Sequence, residues 1–165
     1  MHLIIRIFGS VIILGLVACG GPKTAEEAWK IAESEVRSQR YEKAIQSYEN
    51  LIAKYPDSPL ASKSMFQIGA IYMNNTNQYD QSVASYVRVF ENYPDTPDAV
   101  KALFMAGFVS ATYSGAYEQA EGYYRQFLER YPNHELVSAA EFELENLGKD
   151  MEDIDALKGI VDAEK

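Results

Sequence analysis

The sequence predicts an all-α fold: an α-solenoid of three helix-turn-helix units with a period of 38 residues, closed by a C-terminal capping helix. Three observations carry this. The motif Tyr-Pro recurs in register, as YPDSP at 55–59, YPDTP at 93–97 and YPNHE at 131–135. The same 38-residue spacing links Tyr41, Tyr79 and Tyr117, then Tyr48, Tyr86 and Tyr124, Gly69 with Gly107, and Phe66 and Phe104 with Phe142. Between these marks the apolar residues step by three and four, the periodicity of a helix face, and no segment alternates as a half-buried strand does.

Helices are expected in order near 24–38, 41–54, 59–73, 79–93, 97–113, 117–131 and 135–147, with a weak one near 150–161. The fourth shows the grammar best: Tyr79, Val83, Tyr86, Val89, Phe90 and Tyr93 share one face. Pro94 then stops it, lacking an N–H and clashing one turn back. Asp95 and Thr96 can cap the next helix, and Pro97 suits its first turn. That helix presents Val100, Leu103, Phe104, Gly107 and Phe108 along one side. Polar turns, Asn74 to Asn77 and Ser114 to Ala116, join the two helices within a unit. The last helix sets Glu141 and Glu145 where earlier units carry apolar or small residues, which marks a polar cap of the kind an open solenoid requires.

The bulk properties narrow the function. With 165 residues the chain amounts to one domain, and its net charge of −9 argues against a phosphate-binding nucleic-acid surface. A single cysteine excludes an internal disulfide and any multi-cysteine metal or redox site. Upstream of it, Arg6 precedes a weakly polar to apolar run from Ile7 to Ala18, the length of a signal-peptide core and short for a membrane span. An uncleaved anchor helix is the other reading of that run. Leu16-Val17-Ala18-Cys19-Gly20 resembles the bacterial lipoprotein processing box. That resemblance implies a signal peptide over 1–18, lipidation of Cys19 with acyl chains (palmitate among them), and a tether over 19–24. Gly20, rather than an aspartate, after the cysteine implies sorting to the outer membrane, on its periplasmic side.

The repeats themselves resemble the tetratricopeptide repeat. Its signature positions fall on Ala28, Ile31, Ala32, Ala44, Tyr48, Leu51 and Pro56 in the first unit. In the second they fall on Met65, Ile68, Gly69, Tyr72, Ser82, Tyr86, Val89 and Pro94, and in the third on Leu103, Ala106, Gly107, Ala120, Tyr124, Phe127 and Pro132. The tetratricopeptide domain is thus expected over 25–147, with repeats at about 25–58, 62–96 and 100–134, a cap at 135–147, and an acidic tail at 148–165. The period exceeds the usual roughly 34 residues, and Glu35 and Ser110 stand where the pattern has tyrosine. The longer junction and the stretch Phe66-Gln67-Ile68-Gly69 resemble two envelope families. One is the C-terminal domain of the Tol-Pal-associated cell-division coordinator (CpoB/YbgF type). The other is the outer-membrane lipoprotein of the β-barrel assembly machinery (BamD type), which has about five units. The coiled coil that usually precedes the coordinator's repeats is missing here.

The tetratricopeptide resemblance also implies a site. In peptide-binding members the first helix of each unit lines a concave groove. The matching positions here are Trp29, Phe66, Phe104 and Phe142, flanked by Lys63 and Lys101, with Ala70, Met73, Phe108 and Thr112 completing the wall. These aromatics form either a groove for an extended segment of an envelope protein, with lysines to meet a carboxylate, or core between neighbouring repeats. No catalytic constellation, phosphate loop or metal-ligand set accompanies them. His134 reads as a junction or cap residue, and the acidic stretch from Glu141 to Asp155 lacks the glycine turn of a calcium loop. The expected function is non-enzymatic: a scaffold binding an envelope protein or peptide and held to the membrane by its lipid, with no cofactor, nucleic acid or small-molecule substrate. The alternative is an accessory lipoprotein subunit of a complex for barrel assembly, secretion or pilus biogenesis.

Overall fold

A computed structural model describes residues 21–149 and 153–154. Over these residues the chain is all-helical: α1 Ala25–Arg37, α2 Tyr41–Lys54, α3 Pro59–Asn74, α4 Tyr79–Asn92, α5 Pro97–Thr112, α6 Tyr117–Arg130 and α7 Val137–Glu145. The proposed signal peptide, Cys19 and the weak helix near 150–161 lie outside the described residues, apart from Asp153 and Ile154 of that last segment.

The start signals are local. Thr24 Oγ1 accepts the Glu27 N–H at 3.1 Å, while the Glu27 carboxylate accepts the Lys23 N–H at 2.7 Å, so two backbone donors at the helix start are satisfied. Ser58 and Thr96 cap α3 and α5 through their hydroxyls, with Pro59 and Pro97 in the first turn. Thr96 alone is the cap residue there, and Asp95 lies before it. At the third junction Glu135 replaces the proline that presets a helical φ, and α7 begins at Val137 instead of 135. His134 Nδ1 accepts the Leu136 N–H at 3.1 Å, a local bond that holds this looser turn.

The inner turns repeat in finer detail than the residue types show. Gln39, Asn77 and Gly115 have φ of 57°, 54° and 63°, one left-handed residue per turn at the 38-residue period. Close packing across each pair follows the glycines. A Cβ on Gly69 would meet the Tyr86 ring at 2.9 Å, and one on Gly107 the Tyr124 ring at 2.8 Å. These tyrosines and Tyr48 are almost wholly buried, at 2% exposure or less, so the tyrosine at this position of each unit is an architectural feature.

Successive helices pack in chain order. The first helices of neighbouring units also touch, α1 with α3 and α3 with α5, whereas second helices make no comparable contact with each other. A stack that is tighter on one side curves toward it, so α1, α3 and α5 line the concave face. Glu141 and Glu145 of α7 are exposed, as a terminal cap requires.

Candidate functional site: the concave face

Three of the four groove aromatics rest on the buried tyrosine of their own unit. Trp29 meets Tyr48 at 5.1 Å between ring centroids, Phe66 meets Tyr86 at 5.0 Å, and Phe104 meets Tyr124 at 5.7 Å. All three pairs are tilted or edge-on, the orientation that ring quadrupoles favour. The same three rings remain half-exposed. The two readings of the sequence therefore combine: each ring packs against the core and is also partly open to the surface. Burial pushes the phenols of Tyr48 and Tyr86 up to about 12, and raises that of Tyr124 as well, so the floor under the aromatics is neutral.

The lysines differ. Lys63 reaches back across the unit boundary and places Nζ 5.1 Å from the Trp29 ring centroid, a cation–π contact on an exposed surface. Lys101 is also exposed, but it lines a junction cleft of about 490 Å³ with Pro94, Pro97, Tyr131 and His134. Ala70 and Met73 are half-buried on α3. Phe108 is half-buried and turns edge-on to Tyr113 at 6.0 Å, near the inner turn, and Thr112 borders it, close to the end of α5. Phe142 is 37% exposed, since the position 38 residues after Tyr124 is Asp162 and the sequence supplies no tyrosine to support it. The structure thus brings Trp29, Lys63, Phe66 and Phe104 onto one face with related geometry. Lys101 lies at the junction cleft, Phe108 and Thr112 near the inner turn after α5, and Phe142 on α7.

Two features were not legible as surface in the sequence. Tyr79 stacks on Tyr113 at 4.8 Å and 18°, leaving Tyr113 44% exposed at the edge of the stack. Tyr113 has no aromatic counterpart in the other units, where Asn75 and Ser38 occupy the end of the first helix, so the repeat pattern conceals it. Ile31 is the second. It occupies the register position of Ile68, which is 4% exposed, yet Ile31 is 45% exposed. Ile68 packs against Ala44, Ile45 and Tyr48 of the preceding unit, whereas no helix precedes α1 among the described residues.

Among the described residues no helix is long and apolar enough to cross a membrane. A family model described as outer membrane lipoprotein (YfiO) matches residues 22–153, from the turn before α1 to beyond α7. No curated protein matches the chain.

Proposed function

This chain belongs to the outer membrane lipoprotein family, and from that premise we propose that it is a non-enzymatic scaffold, lipidated at Cys19, that holds a segment of another envelope protein in its concave groove. The observation that carries this is the row Trp29, Phe66 and Phe104, each ring half-exposed and resting on a buried tyrosine, with the Lys63 ammonium over the first. Rigid aromatic anchors lose little freedom on binding, and a neighbouring cation selects a segment carrying a carboxylate. The family favours the role of accessory subunit in an outer-membrane assembly complex over that of a Tol-Pal coordinator, with the groove on the periplasmic side of the lipid anchor.

Site-specific photocrosslinking in living cells tests this. A probe at Phe104 is expected to capture a defined partner, and Lys63→Glu combined with Phe66→Ala to abolish the product while the chain still accumulates. A probe at Gln126, exposed on the second-helix face, serves as the comparison. Capture from 126 alone, unaffected by the groove substitutions, would put binding on the convex side and overturn the proposal.

A further inference from the structure

The first end of the stack is unlike the last. α7 closes the far end with exposed glutamates, but at the near end Ile31 stands uncovered between two clefts of about 520 and 460 Å³. Pro22 lines both clefts and is held there. Its carbonyl accepts hydrogen bonds from Lys54 Nζ at 2.6 Å and from Tyr55 Oη at 2.9 Å. The segment leading back to Cys19 therefore leaves the fold at this end from a fixed point. Two residues, Gly20 and Gly21, separate Cys19 from Pro22, and the three steps between them span at most about 11 Å of extended chain. A lipid on Cys19 therefore keeps the near end of the stack within reach of the bilayer, without by itself setting which face rests on it.

The charges at this end agree with that position. Lys23, Lys30 and Lys54 line the clefts around Ile31, and Glu27 is the only acidic residue lining them. Lys54 donates to a neutral carbonyl, so its charge is not cancelled. On a chain of net charge −9, a positive balance around an exposed apolar side chain is the pattern of an interfacial contact with anionic lipid.

We propose that the near end of the stack, Ile31 rimmed by Lys23, Lys30 and Lys54, lies on the anionic phospholipid surface, so that the scaffold stands on the membrane by its first unit. The inference rests on the lipidation of Cys19 proposed above. The test uses the full chain purified from membranes and reconstituted in vesicles of phosphatidylethanolamine and phosphatidylglycerol carrying a doxyl-labelled lipid. A bimane dye is placed at Ile31→Cys, or at Phe142→Cys on α7 for comparison. Quenching is expected at 31 and not at 142. It is expected to be lost in phosphatidylcholine vesicles and in the Lys23→Glu, Lys30→Glu variant, whose acyl mass and helical circular dichroism stay unchanged. Equal quenching at both positions, or none at 31, overturns the proposal. So does a disulfide joining two copies of the unlabelled Ile31→Cys chain through position 31, or a protein crosslink that covers 31. Mass spectrometry separates the two readings: a chain without acyl groups refutes the anchor, while quenching at 31 in that chain would still support the surface.

Discussion

The Tyr124 ring lies so close to Gly107 that the contact leaves no room for a methyl group. Gly107→Ala is expected to lower stability by about 1–3 kcal/mol, because the ring it meets is fully buried and cannot swing aside. Urea unfolding followed by circular dichroism measures this. The buried phenols give a second prediction at the same scale. An unfolded tyrosine titrates near 10, whereas Tyr48 and Tyr86 in the fold titrate near 12 because burial opposes the phenolate. Between these values the unfolded chain releases protons that the native chain keeps. Stability should therefore hold up to about pH 10 and fall from there to about 12. Thermal unfolding across this range checks the sign, and Tyr48→Phe should make the decline shallower. The sequence announced these tyrosines by their spacing. It did not show that each carries a half-exposed ring on its back, a contact made between the two helices of a unit.

At the scale of the element, the starts and stops are encoded within a few residues of where they act. Six helices fall within one residue of the ends that proline, cap and periodicity indicate. The exception is α7, which is shorter at both ends, its start delayed because the third junction lacks the proline in its first turn. Thr96→Ala removes the side-chain acceptor at the start of α5 and should cost about 1 kcal/mol, measured as a shift in the denaturation midpoint at unchanged slope. Glu35 illustrates what the repeat pattern left unexplained. In place of the usual tyrosine it pairs with Arg40 across the inner turn, and the Arg40 guanidinium lowers its carboxyl pKa.

At the scale of the whole molecule, a unit is buried by its neighbours, so the same residue type has different value at different places in the stack. Ile68→Ala is expected to cost about 2–5 kcal/mol, while Ile31→Ala, at the same register position, should stay within about 0.5 kcal/mol. Equal losses in chemical denaturation would mean that another part of the protein covers Ile31. The sequence by itself determined the period, the helices, the capping end and the signals of a lipoprotein, because each is written in residues close together along the chain. Only the tertiary structure decided which aromatics are half-exposed, which lysine reaches one of them, and that Ile31 is exposed where Ile68 is buried. Those properties arise between units, where side chains distant in sequence meet or find no partner.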